Sequence, residues 1–162
     1  MIEQATNKPY VTYMENANEF SRTRIIFELE VVKHINKPNT AWWGSPLNAS
    51  FGWKDWCINE EFGRYDFNNP IIWHLDLQAK IFKIDWEDVQ SPLSLLLDYV
   101  VDSTYSTYID FIKMKKNGIH AVELMDPCIG HMFISPIEEM FNSWDCESIC
   151  VLDPSMIIFD NK

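Results

Sequence analysis

Two stretches of this chain concentrate residue types that can do chemistry. Residues 41–62, AWWGSPLNASFGWKDWCINEEF, carry Trp42, Trp43, Trp53 and Trp56, a Gly-Ser-Pro turn and a run of carboxylates. Residues 144–154, WDCESICVLDP, set Asp145, Cys146 and Glu147 between a tryptophan and an apolar run. An indole buries a large apolar area while its N–H still needs an acceptor. Four of them close together predict either a buried aromatic wall or a platform for a flat ligand. A functional reading of either stretch requires the two to meet in space.

The remaining chemistry-bearing residues are sparse. His74, His120 and His131 have no metal-ligand spacing, and of these only His131, in a loop after Gly130, stands where it invites a test for chemistry. Cys57, Cys128, Cys146 and Cys150 form no Cys-x-x-Cys pair. The interval from Cys146 to Cys150 puts both on one face of a strand, which suits buried thiols in a reduced, cytoplasmic protein. No phosphate-cradling glycine loop, nucleophile elbow or His-Glu-x-x-His helix is present. Acidic residues outnumber basic ones 24 to 13, for a net charge of −11. Such a balance argues against a grip on nucleic acid through its phosphates, which needs a basic surface. It is compatible with a basic protein partner, or with nothing more than solubility.

The elements that must position these residues are those of one α+β domain spanning 1–162, with a mostly antiparallel, split or curved sheet and flanking helices. Strands are expected at 10–14, 41–45, 71–77, 80–84, 119–125, 148–152 and 156–159, where β-branched and aromatic residues alternate between turn residues. Gln78-Ala79 then makes a tight connection between two of them, although it lacks the favoured hairpin residues. Apolar residues at three- and four-residue intervals predict helices at 53–62, stopped by Gly63, at 93–101, and at 103–116, stopped by Gly118. A short helix is expected at 136–142. The pattern at 19–34 suits either helix or strand, with helix the preferred reading. The first residues lack a signal peptide, and no apolar run is long enough to cross a bilayer, so no membrane partner is expected.

Taken together, WWGSP after Lys-Pro, then GWKDWC with EEF, FKID, and WDCES before an apolar strand resemble a family of bacterial and phage proteins, over most of 37–154. That resemblance carries no activity with it, and a phage origin would place the protein in the host cytoplasm. A more distant resemblance is to mono-ADP-ribosyltransferases. In those enzymes a polar first-strand residue, a Ser or Thr on a later strand and a Glu beside a late core strand hold NAD. The resemblance implies that Ser45 and Glu147 are the catalytic pair, and that Tyr13, with Arg22 or Arg24 as substitutes, supplies the first motif. It also implies that the fold is ADP-ribosyltransferase-like and that NAD is bound as substrate. The chain departs from the family in lacking its Ser-Thr-Ser, and in having Asp145 two residues before Glu147 where the family has Glu or Gln.

On that reading the bond between nicotinamide and ribose breaks with positive charge building on the sugar, and the Glu147 carboxylate stabilises it. Ser45 supports the carboxylate or the cofactor, while Trp43, Trp53 and Tyr13 stack on a ring. The implied partners are a small-molecule nucleotide and a protein acceptor. Three competing assignments stay open: Glu147 as a capping or surface carboxylate, Ser45 as a turn residue, and the tryptophans as core. The competing functions are a nucleotide-binding domain without chemistry and a non-catalytic acidic protein that inhibits a basic host factor.

Overall fold

A computed structural model of the chain describes residues 1–15, 37, 38, 40–63, 65–84, 93–102, 107–125, 141 and 143–160. The expectations for 19–34 and, apart from Phe141, for 136–142, and the candidates Arg22, Arg24, Cys128 and His131, lie outside those residues. Ten strands, three α-helices and a single 3-10 turn at Pro154–Met156 are formed among the described residues. The strands are β1 (Ile2–Gln4), β2 (Tyr10–Thr12), β3 (Trp42–Pro46), β4 (Ile71–Leu75), β5 (Lys80–Ile84), β6 (Val100–Asp102), β7 (Thr107–Ile109), β8 (Ala121–Leu124), β9 (Ser148–Val151) and β10 (Ile157–Phe159). The helices are α1 (Trp53–Asn59), α2 (Leu93–Leu97) and α3 (Phe111–Lys116). The fold is therefore mixed α+β and mostly sheet.

Eight strands form one curled sheet in the order β1-β5-β8-β9-β3-β2-β4-β10, antiparallel except for the parallel pair β5–β8. β4 and β5 are joined by the short turn 76–79, yet they do not pair. β4 lies between β2 and β10, and β5 lies between β1 and β8. Without a residue pair that favours a two-residue reversal, the chain turns a corner here instead of a hairpin. Each flank of the corner extends its own strand pair: Ala5 N–H donates to Ala79 C=O at 2.8 Å beyond β1–β5, and Asp76 N–H donates to Met156 C=O at 2.8 Å beyond β4–β10.

Period-two alternation then fills two cores. Ile149 and Val151 of β9 point into the concave side with Tyr10, Trp73, Leu75 and Ile81, whereas Cys150 points to the convex side with Val122, Leu124, Trp144 and Phe141. α2 and α3 cover the convex side through Leu96, Phe111 and Met114. Glu123 of β8 is fully buried on the concave side, where its Oε1 takes Lys8 Nζ at 2.8 Å.

Three expected helices are shorter than their apolar spacing predicts, two of them for a shared reason. In place of a helix over 103–116, Thr107–Ile109 pairs with Val100–Asp102 as a two-stranded ribbon, and the helix begins only after Asp110. The Asp110 side chain accepts from Lys113 N–H at 2.8 Å and so fixes that start. The same ribbon ends the helix expected over 93–101 at Leu97. β-Branched and aromatic residues at 107–109 satisfy their backbone across the ribbon, and that pairing outweighs the local helical pattern. The strand β1 is not among the expected elements; its three residues gain order only from pairing with β5.

Candidate functional site

The two chemistry-bearing stretches do meet. β3 and β9 are neighbouring strands, with Trp42 opposite Val151, Trp43 opposite Cys150 and Gly44 opposite Ile149. Adjacent tryptophans on a strand face opposite ways. Trp42 packs edge-on against Trp73 and Phe159 in the concave core, while Trp43 packs edge-on against Trp144 with ring centroids 4.8 Å apart. The doublet is thus partly core wall and partly platform.

On the Trp43 side lies a cleft of about 300 Å³, large enough for one planar ring system and its sugar. Five parts of the chain line it: Val11 to Tyr13 from β2, Trp43 to Ser45 from β3, Trp53 and Tyr65 around α1, Asp145, Cys146 and Ser148 leading into β9, and Lys37. Tyr13, Trp43, Trp53 and Tyr65 are each half-buried, so their rings are both held and accessible. Trp53 stacks on Trp56 at 4.8 Å, and Tyr65 meets Trp53 edge-on at 5.7 Å, which fixes the outer wall. β2 is locked to β3 by Thr12, whose Oγ1 donates to Trp43 C=O at 2.6 Å and accepts from Trp73 Nε1 at 2.9 Å.

Of the residues singled out from the sequence, Tyr13, Trp43, Ser45 and Trp53 all line this cleft. Ser45 has a structural duty as well. It is buried, and its Oγ accepts from Trp53 N–H at 2.9 Å, capping the first turn of α1. Gly52, at the cap position, has no side chain to do so, and Asp55 returns the bond to Gly52 N–H at 2.9 Å. At its other end α1 stops earlier than expected. Glu61 takes the left-handed turn at φ 50°, letting Phe62 N–H reach Cys57 C=O at 2.8 Å, and Gly63 follows with a positive φ of 108°.

Glu147 is placed differently. Asp145, Cys146 and Ser148 line the cleft, and Glu147 among them does not. Its Oε1 accepts from Ser50 N–H at 2.7 Å, from the Ser50 hydroxyl, and from Phe51 N–H at 3.1 Å. Glu147 N–H donates to Phe51 C=O at 3.0 Å. The hydroxyl that supports this carboxylate is therefore that of Ser50, whereas Ser45 was the expected one. Oε2 takes part in none of these bonds. The carboxylate is fixed in orientation beside the cleft rather than lining it.

The carboxylate that does line the cleft is Asp145, with the Cys146 thiol beside it. Cys146 Sγ lies 3.3 Å from Ser148 Oγ. Burial pushes this thiol up; Ser148, Lys37 and Ser45 draw it partly back. Burial also pushes Tyr13 and Tyr65 above the usual phenol range and holds Lys37 below the usual lysine range. Lys37, Tyr65, Cys146 and Ser148 were not among the expected binding residues. The one signal for the last two was their two-residue spacing ahead of an apolar strand.

No protein-family model, curated protein or solved structure matches this chain. Among the described residues no helix is long and apolar enough to cross a membrane.

Proposed function

We propose that the cleft binds NAD by one planar end and that the protein cleaves the nicotinamide–ribose bond, passing ADP-ribose to an acceptor or to water. The observation that carries this reading is that Tyr13, Trp43, Ser45 and Trp53, drawn from separate parts of the chain, line one cleft of about 300 Å³. Rings at several angles around a small apolar space stack on a flat heterocycle and exclude water from it. In the reaction the acceptor oxygen bonds to the ribose C1′ as the bond to the ring nitrogen breaks. Nicotinamide leaves with the electron pair, and the acceptor releases its proton. Glu147, held by the Ser50 turn next to two cleft residues, acts on the ribose: one oxygen is anchored, and the other is the candidate to accept from a ribose hydroxyl or to face the developing charge.

The direct test is release of nicotinamide from NAD, measured with the unaltered protein and with Glu147→Gln. A positioned carboxylate of this kind contributes on the order of 3 kcal/mol, so the substitution lowers turnover about a hundredfold. Absence of both turnover and binding at millimolar NAD overturns the proposal.

A second reading is favoured by a specific observation, that Glu147 is engaged by the Ser50 turn and is not a cleft residue. It makes the protein a nucleotide-binding domain without chemistry. In that case affinity survives Glu147→Gln and weakens on loss of Trp43 or Trp53, with no nicotinamide released. The charge of −11 supports a third, an acidic protein that inhibits a basic host factor. That reading predicts capture of one basic partner regardless of residue 147.

A further inference from the structure

The cleft contains a cation that the described part of the protein does not neutralise. Lys37 is half-buried, with Nζ 5.7 Å from the centroid of the Trp43 ring. Among the described residues, Lys8 pairs with Glu123 at 2.8 Å and Lys83 with Glu3 at 2.7 Å, but no carboxylate lies within 4.0 Å of the Lys37 ammonium. Asp145, in the same cleft, is near enough to act on its charge without forming an ion pair. Taking an ammonium partly out of water costs free energy, and a cation–π contact with one indole offsets only part of it. An anion arriving in the cleft supplies the rest.

We propose that Lys37 is the anion-binding residue of the cleft and takes the phosphate of a nucleotide whose ring lies among Trp43, Trp53 and Tyr65. The ligand class is then a planar heterocycle carrying phosphate, not a free base or a nucleoside. This inference rests on the nucleotide reading above and assigns its specificity to one side chain. Burial lowers Lys37 against the opposing pull of Asp145 and of the Cys146 and Cys150 thiols, the direction expected for an ammonium held short of a partner. Asp145 works against phosphate: it repels the incoming charge and competes for the ammonium.

The test is titration of the full chain, followed by tryptophan fluorescence and calorimetry, with adenosine, AMP, nicotinamide riboside and NAD as probes. The unaltered protein binds AMP and NAD at least about tenfold more tightly than their phosphate-free counterparts, as one charge-assisted hydrogen bond provides. Lys37→Met removes that preference and leaves adenosine affinity in place, whereas Lys37→Arg keeps it. Asp145→Asn, a variant of opposite sign that guards against simple misfolding, tightens AMP several-fold. The preference fades at alkaline pH, beginning below the ordinary lysine value of about 10.4. Equal binding of adenosine and AMP, or equal loss of both in Lys37→Met, overturns the assignment of Lys37 and leaves the nucleotide reading standing. Failure of every probe to bind overturns both.

Discussion

Two serines that look alike in the sequence have separate tasks. Ser45 Oγ satisfies a backbone donor at the start of α1, so its loss leaves Trp53 N–H unpaired in a buried place. Ser45→Ala is expected to lower the free energy of unfolding by about 1 kcal/mol, read from the urea midpoint. Ser50 is exposed and holds Glu147 from outside. Ser50→Ala removes one of the bonds that aim the carboxylate and changes little packing. On the proposed activity it is expected to reduce nicotinamide release roughly tenfold with the urea midpoint almost unchanged, because alignment of the carboxylate is what is lost. An equal stability loss in both variants would count against this division of labour.

At the scale of elements, β3 is the strand on which the site depends. It pairs with β9 through its first three residues and with β2 through its last two, so it carries the chain from one half of the curled sheet to the other. Gly44 sits at that change of partner. A Cβ there would lie 2.7 Å from the Trp73 ring and 2.9 Å from the Val11 carbonyl oxygen. The ring has little freedom in a filled core, and the carbonyl belongs to the neighbouring strand. Gly44→Ala is therefore expected to cost about 1–3 kcal/mol by overpacking and to weaken ligand binding by spreading β2 from β3. Thermal unfolding and titration of the same variant check both parts. α1 braces this arrangement by carrying the stacked Trp53 and Trp56 pair.

At the scale of the molecule, burial has raised several phenols and thiols among the described residues. Tyr10 is raised far above the usual phenol range by burial and by Glu123, and Tyr13 and Tyr65 are raised less. Cys57 is pushed up to about 11, and Cys146 and Cys150 are raised as well. An acid whose folded pKa exceeds its unfolded one stabilises the fold fully below the unfolded value and loses that contribution as pH rises toward the folded value. Thiols begin this loss near pH 8.5 and phenols near pH 10, about their ordinary values. Lys37 runs the opposite way, since its burial cost is relieved as it deprotonates, but it is one group against six. The urea midpoint is thus expected to hold from about pH 7 to 8 and to fall steadily above about pH 8.5. A midpoint that stays flat to pH 10.5 would contradict the burial of these thiols.

Much of the sheet was legible from local alternation, because a strand with one buried face records that face in its own residues. The expected strands at 80–84, 148–152 and 71–77 correspond to β5, β9 and β4 within two residues. The resemblance marked Tyr13 and Ser45, and the aromatic density marked Trp43 and Trp53, as residues worth placing together. It did not show that β4 and β5 part company at the turn 76–79, since pairing partners are chosen by contacts remote in the chain. Nor did it show β1 or the ribbon 100–109, whose short strands are stable only against each other or a neighbour. Local pattern determined which face of each strand was apolar and where the aromatic residues were dense, while the candidates Tyr13, Ser45 and Glu147 came from the resemblance. Tertiary structure decided the rest: the pairing of β3 with β9 brought the two stretches to one cleft, and donors remote in the chain, Ser50 and Phe51, fixed Glu147 beside it.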